Sequence, residues 1–254
     1  MSKELAKTEN QQLATLDVAS FAAEAGAGFG NADRESFALP FLSVLQGLSP
    51  QLENVEGAKP GMLINTITNE LFKEANVIPC YFSRRYLRWG ARENGGGLKG
   101  EYAPYDVDTG KIQGVQRDSF GRLTIDGDQL VDTRDHYVLI QSADGSWQQA
   151  LLSLSKTQIK KSKKWLTRMQ SLECTLPDGR IVTPPSFATM YKIFTIKEEN
   201  SLGSWWGVDF ELIGYVTNEQ YQKGKAFFQA CSGGNIQAAR EQDFAQTSTP
   251  QNAW

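Results

Sequence analysis

Histidine, cysteine and long apolar runs are scarce in this chain of 254 residues, and each scarcity excludes a class of protein. The single histidine, His136, excludes a histidine-rich metal centre, although sites built from carboxylates alone stay open. The three cysteines, Cys80, Cys174 and Cys231, are far apart and odd in number, so they form neither a disulfide framework nor a CxxC metal motif. No apolar run approaches the roughly 18 residues of a membrane helix.

Composition and the first residues indicate the compartment. With 40% hydrophobic and 22% charged residues, the chain is typical of a soluble globular protein. The opening sequence MSKELAKTEN has no apolar segment of the kind found in a secretory signal. We therefore expect a reduced, cytoplasmic setting and no contact with a membrane.

One cationic stretch stands out against a net charge of −3. Tyr81 to Arg92, YFSRRYLRWGAR, interleaves arginines with four aromatic rings and contains no acid. Cations for phosphates and flat rings for unstacked bases are what single-stranded nucleic acid requires. Because the whole surface is mildly acidic, any such contact has to be concentrated on a patch of this kind.

If this stretch is a strand, its side chains alternate between two faces. Phe82, Arg84, Tyr86 and Arg88 share one face, which predicts a surface that stacks bases and holds the phosphate backbone. The alternative is that the rings pack under a neighbouring loop and the arginines pair with residues 101–135, a turn-rich insert with eight acids and four bases.

A second cationic stretch is KTQIKKSKKWLTR, residues 156–168, with six cations and no acid. The sequence predicts a helix from Ser155 to about residue 172, with Ser155 and Gln158 at capping-box spacing. Its lysines form a candidate phosphate rail, and Trp165 either stacks on a base or packs. The usual role of such a helix is a solvated face. The residues predicted to bind DNA in the two stretches are Phe82, Arg84, Arg85, Tyr86, Arg88, Trp89, Lys156, Lys160, Lys161, Lys163, Lys164, Trp165 and Arg168.

The pattern of short strands predicts a mainly β, α+β fold. Residues 76–89 form a long strand, residues 136–141 and 146–154 form a hairpin around an Asp-Gly turn, and residues 94–100 form a flexible loop. A final helix is predicted from Thr217 to about Ala230, with Thr217 and Gln220 at capping-box spacing. We expect an OB-like five-stranded barrel or sandwich with an inserted helix and disordered termini. The predicted boundaries are a mobile arm at residues 1–36, one domain at 37–231 and a tail at 232–254.

Five segments resemble a group of bacteriophage single-stranded DNA-binding proteins of replication and recombination modules. They are FALPFLSVLQGLSPQ, GAKPGMLINTITNELF, IPCYFSRRYLRW, LSLSKTQIKKSKKW and GSWWGVDFELIG, within residues 37–216. The resemblance implies an OB-type protein that coats single strands in the host cytoplasm and has no catalytic residues. Many single-strand binders recruit replication or recombination partners through a strongly acidic tail that ends in an aromatic residue. Here Trp254 is present, but Glu241 and Asp243 are the tail's only acids, so recruitment by the tail is a weaker expectation.

Two other functions stay open at this stage. One is a structural or host-takeover interaction module whose arginines meet an acidic protein. The other is a magnesium-dependent nuclease, for which Asp126, Asp128, Asp132 and Asp135 are the candidate ligands. These aspartates lie in a turn-rich stretch typical of solvated turns, so we expect no catalytic residues, no metal and no cofactor. Of the adjacent Trp205 and Trp206, one is expected in the core and the other accessible.

Overall fold

The computed structural model describes residues 21, 23–24, 27–30, 37–91, 96–201, 203–234 and 236. The chain divides into two compact units, residues 1–37 and residues 38–254. In the first, the rings of Phe29 and Phe37 meet edge to face with their centroids 5.9 Å apart. The predicted arm and tail lie largely outside the described residues and stay predictions.

The second unit contains the strands and helices of the described residues. The strands are β1 (Leu42–Val44), β2 (Leu63–Asn65), β3 (Leu71–Phe72), β4 (Glu74–Trp89), β5 (Leu98–Tyr102), β6 (Val115–Arg117), β7 (Leu123–Ile125), β8 (Asp128–Gln141), β9 (Trp147–Ser155), β10 (Cys174–Thr175), β11 (Ile181–Val182), β12 (Thr189–Asn200) and β13 (Gly203–Tyr215). The α-helices are α1 (Gln51–Asn54), α2 (Pro104–Asp108), α3 (Ile159–Gln170) and α4 (Asn218–Ser232), and 3-10 turns cover Lys156–Gln158 and Ser186–Ala188.

Eight of the strands form one curled antiparallel sheet, which confirms the mainly β, α+β class. Its order is β13-β12-β4-β8-β7-β6, with β5 added to β4 and β9 added to β8. The strands β1, β2 and β3 form a small separate sheet, and β10 pairs with β11. Within the described ranges, no helix has both the length and the apolar character needed to cross a membrane.

The central strand β4 is the predicted long strand, and its register confirms the predicted alternation. A register shift follows Pro79, where the missing backbone N–H favours a bulge. Beyond the bulge, Phe82 lies opposite His136 and Arg84 lies opposite Arg134 on β8. The four residues predicted to share one face therefore do so, because the bulge precedes all of them.

The two helices with apolar sides cover opposite faces of the sheet. The inner face packs Val77 and Ile140 against Trp165 of α3, and the outer face packs Ile78 and Leu139 against Phe227 of α4. Burial of these side chains is the main term that stabilises the fold. The helix α4 begins with a complete capping box, in which Thr217 and Gln220 each accept a hydrogen bond from the backbone N–H of the other, as predicted for this helix.

The acidic, turn-rich insert predicted at residues 101–135 ends in a regular strand, because its last eight residues are the first half of β8. Asp128 and Asp132 lie four residues apart on the face of β8 where they pair with Arg88 and Arg84 of β4. This half of the strand therefore has the composition of a loop although it pairs fully with β4. Apolar residues of the same stretch form a third cluster on Tyr86, which contains Val107, Ile125 and Leu130. Residues Leu98–Gly100, predicted as loop, begin β5.

The predicted capping box at the start of the lysine helix is also wrong. Ser155 is still paired in β9, opposite Thr133, and its side chain makes no capping hydrogen bond. Gln158 reaches instead to β13, where its Oε1 accepts from the backbone N–H of Val208 at 2.9 Å. Gly207 leaves room for this contact, since a Cβ at that position would lie 2.5 Å from the amide nitrogen of Gln158.

Candidate nucleic-acid interface

Arg84, on the predicted binding face of β4, is held by two acids of residues 101–135. Its guanidinium lies 2.7 Å from Asp108 and 3.0 Å from Asp132. The hydroxyl of Tyr86 accepts a hydrogen bond from Arg84 and donates one to Asp108, both at 2.9 Å. Pairing with Arg84 lowers the pKa of Asp108, and both charges are compensated inside the protein.

The next arginine on this face, Arg88, is compensated in the same way. Its Nε donates to the buried carboxylate of Asp128 at 2.6 Å, and its Nη2 lies 3.3 Å from Asp126. Lys99 also donates to Asp128 at 3.0 Å. Hydrogen bonds from Lys99 and Arg88 lower the pKa of Asp128, so the carboxylate stays ionised within the pair.

The remaining residues predicted on β4 are likewise engaged. Arg85 lies 2.6 Å from Glu101, and Tyr86 is only 5% exposed. Phe82 packs against His136 with ring centroids 5.0 Å apart, and Trp89 is half-buried at the end of the strand. Of the two interpretations of this strand, the geometry matches the alternative, in which the acidic stretch folds over the arginines and pairs with them.

Three of the six cations predicted on the lysine helix attach α3 to the neighbouring strands. Lys161 lies 3.3 Å from Glu198 and 3.1 Å from Asp209, and Lys164 lies 3.4 Å from Asp209. Arg168 donates to the backbone carbonyl of Phe210 at 2.7 Å. β13 is the edge strand of the large sheet, and the bond from Arg168 gives its Phe210 carbonyl a partner. All three cationic side chains are therefore engaged within the protein.

Trp165, predicted to stack on a base or to pack, is packed in the core. Its ring is 1% exposed and lies between Phe210, at 4.1 Å and nearly parallel, and His136, at 4.7 Å. Burial, with a smaller effect of Arg134, lowers the pKa of His136 to about 3, so the imidazole is neutral and shares a 2.8 Å hydrogen bond with Ser162. Neither face of the indole is open to a ligand.

The other three lysines, Lys156, Lys160 and Lys163, are exposed. Within the described residues, none of them makes an ion pair or a side-chain hydrogen bond. Lys156 has a φ of 51°, a left-handed conformation that is unfavourable for a residue with a Cβ. Its side chain stands at the junction where β9 turns into the helix.

Trp205 lines an open pocket together with Lys156 and Lys160. Its indole N–H donates to Glu198 at 2.9 Å, which fixes the ring beside the two lysines while leaving it half-buried. Burial raises the pKa of Glu198, but hydrogen bonds from Trp205, Gln158 and Lys161 outweigh it and lower the pKa. Glu199 adds an exposed acid to the pocket.

The adjacent Trp206 packs on the backbone of Gly61, where a Cβ would come within 2.7 Å of the ring. Its backbone N–H and carbonyl bond the side chain of Gln46 at 2.9 and 2.8 Å. Both indoles are half-buried, so the expected division into one core ring and one accessible ring does not hold. Trp205 lies at the pocket, and Trp206 lies against Gly61 and Gln46 beside β1 and β2. Sequence alone singled out the pair, but it did not connect Trp205 with the lysine helix, because their proximity depends on β13 folding back onto α3.

Acidic residues offer no metal centre in the described part of the chain, where no group of three or more His, Cys, Asp or Glu side chains is arranged to hold an ion. Of the four candidate magnesium ligands, Asp126, Asp128 and Asp132 pair with arginine or lysine, and Asp135 accepts a hydrogen bond from Ser153 at 2.8 Å. These carboxylates serve as internal partners of the β4 and β8 side chains.

Comparison with known proteins connects this chain with bacteriophages. Neither the curated proteins nor the solved structures contain a match to it. A family model described as Pam3 phage gp34-like protein matches residues 7–237. Because that match covers most of the sequence, the chain belongs to the Pam3 phage gp34-like protein family.

Proposed function

We propose that this phage protein binds single-stranded DNA without strong sequence preference, in phage replication or recombination. The observation that carries the proposal is the pocket that a half-buried indole, Trp205, lines together with two exposed lysines, Lys156 and Lys160. An aromatic face for a base beside cations for phosphates is the combination that single-strand binders use.

The proposed contacts keep three of the lysines expected from sequence and replace the β4 residues with Trp205. Lys156, Lys160 and Lys163 contact phosphates, and Trp205 stacks on one base. The arginines of β4 stay in their internal pairs, because a phosphate at Arg84 or Arg88 would have to displace a carboxylate already 2.6–3.0 Å away.

The order of strands supports an OB-like version of the curled sheet. The first strand of the proposed barrel, β4, pairs with both β8 and β12, and the remaining pairs are β8 with β9 and β12 with β13. The helix α3 follows the third strand of this set, as in an OB fold. Residues near β1 approach both ends of the set, since Phe41 bridges Leu151 on β9 and Gln46 bonds Trp206 on β13.

We propose that this binding takes place in the host cytoplasm during phage DNA synthesis. We also propose that residues 232–254 recruit replication or recombination proteins. The alternative role, an interaction module whose arginines meet an acidic protein, requires that protein to compete with Asp108, Asp128 and Asp132 for Arg84 and Arg88.

Anisotropy of a labelled dT oligomer of about 16 nucleotides tests the proposal. We expect binding at low salt, with log K falling linearly as log salt concentration rises and a slope near −2 for three phosphate contacts, at about −0.7 each. A duplex of the same length serves as the control and should bind more weakly, because its bases cannot stack on Trp205. No binding of dT at low salt, or binding that salt does not weaken, would contradict the proposal.

A further inference from the structure

We propose that Phe120 is a second base-stacking position and that the bound strand runs from Trp205 past Lys156 to Phe120. This inference rests on the proposed function and names the path of the ligand across the same surface. It concerns the hairpin between β6 and β7, which lies within the acidic insert of residues 101–135.

Strand register brings this hairpin to Lys156. Both β7 and β9 pair with the same edge of β8, since its other edge is taken by β4. On that edge Thr124 lies opposite Gln129, and Ser155 lies opposite Thr133. The start of β7 and the end of β9 therefore meet end to end, which places Arg122 next to Lys156. Although the Lys156 residue as a whole is exposed, its pKa is lowered, first by burial of its ammonium group and then by the charge of Arg122, which is consistent with this proximity.

The tip of the hairpin presents Phe120 to solvent in a fixed geometry. The carboxylate of Asp118 accepts hydrogen bonds from the backbone N–H groups of Phe120 and Arg122, both at 2.9 Å. Gly121 has a φ of 76°, the left-handed conformation that this turn requires. Phe120 is 80% exposed, the largest exposed fraction among the exposed apolar side chains of the described residues.

A cation accompanies the ring, as it does at the pocket. The guanidinium of Arg122 lies over the ring of Phe120, 4.8 Å from its centroid, and also pairs with Asp118 at 2.7 Å. One face of the ring is thus covered and the other is open. Arg122 stays paired with Asp118 and supports the ring of Phe120. The two aromatic platforms, Trp205 and Phe120, then flank Lys156, which suits a flexible polyanion with a base at each end of the contact.

The test uses the full-length protein and measures how its affinity for dT depends on the length of the oligomer. With dT oligomers from about 4 to about 16 nucleotides, we expect Phe120→Ala to bind the shortest ones as the wild type does and to bind the longest ones about tenfold more weakly. Tyr215→Ala is the matched control, because Tyr215 is 61% exposed at the end of β13 remote from Trp205. It should match the wild type at every length, and circular dichroism should show all three proteins folded.

The outcomes separate this inference from the function on which it rests. If Trp205→Ala weakens binding but Phe120→Ala matches the wild type at every length, the path over Phe120 is wrong and the pocket stands. An equal loss for short and long oligomers would also overturn the path, since it would place Phe120 in the primary contact. If the wild type binds no dT oligomer, both proposals fail.

Discussion

Replacing Trp165 by alanine is expected to lower the free energy of unfolding by about 3–5 kcal/mol, the usual cost of removing a large aromatic side chain from a core. The ring is 1% exposed and contacts Phe210 and His136 on its two faces, and Tyr191 approaches edge-on at 5.6 Å. Its removal leaves a cavity between α3 and the inner face of the sheet. Urea denaturation monitored by circular dichroism measures the loss.

Trp165→Phe is the matched variant for this prediction. It keeps an aromatic ring between Phe210 and His136 and removes an indole N–H that has no hydrogen-bond partner among the described residues. We expect it to cost clearly less than alanine, about 1–2 kcal/mol. Equal stability of Trp165→Ala and the wild type would show that this tryptophan lies outside the core.

Replacing Trp205 by alanine is expected to weaken dT binding by about 5- to 150-fold, the equivalent of about 1–3 kcal/mol for one stacked base. The indole is half-buried, and its N–H donates to Glu198, so the ring is held in place before a strand arrives. Anisotropy titration at low salt, on samples confirmed to be folded, measures the loss.

Trp205→Phe distinguishes stacking from the hydrogen bond. Phenylalanine keeps an aromatic face but cannot donate to Glu198, so we expect it to restore most of the affinity that alanine loses. If Trp205→Phe binds as weakly as Trp205→Ala, the tryptophan acts by positioning Glu198 and the stacking role is wrong. Together with Trp165→Ala, the pair assigns one tryptophan to stability and the other to binding.

Local patterns predicted the elements of this fold better than the surfaces that those elements present. The alternation of residues 82–88 gave the correct faces of β4, and Thr217 with Gln220 gave the start of α4, since both depend on neighbours in sequence. The first half of β8 escaped prediction, because its aspartates and Arg134 resemble a loop until the arginines of β4 are placed opposite them. Pairing across about 50 residues is not visible in either strand alone.

The candidate interface shows the same limit. The run of six cations in residues 156–168 is real, but their roles divide according to which of them meet Asp209, Glu198 and Phe210. Those partners lie about 30–50 residues further along the chain, in β12 and β13. Sequence therefore identified the cationic helix, whereas the separation of structural from exposed lysines, and the approach of Trp205, required the folded sheet.

The most direct test of the account is the salt dependence of dT binding after neutralising the exposed lysines. The double variant Lys160→Gln with Lys163→Gln removes two proposed phosphate contacts. It should make the slope of log K against log salt less negative by about 1.4, at about 0.7 per contact. The control, Lys73→Gln with Lys225→Gln, removes the same charge from exposed positions outside α3 and should leave the slope unchanged. Equal slopes for the wild type and the α3 variant would contradict the claim that this helix binds the phosphates.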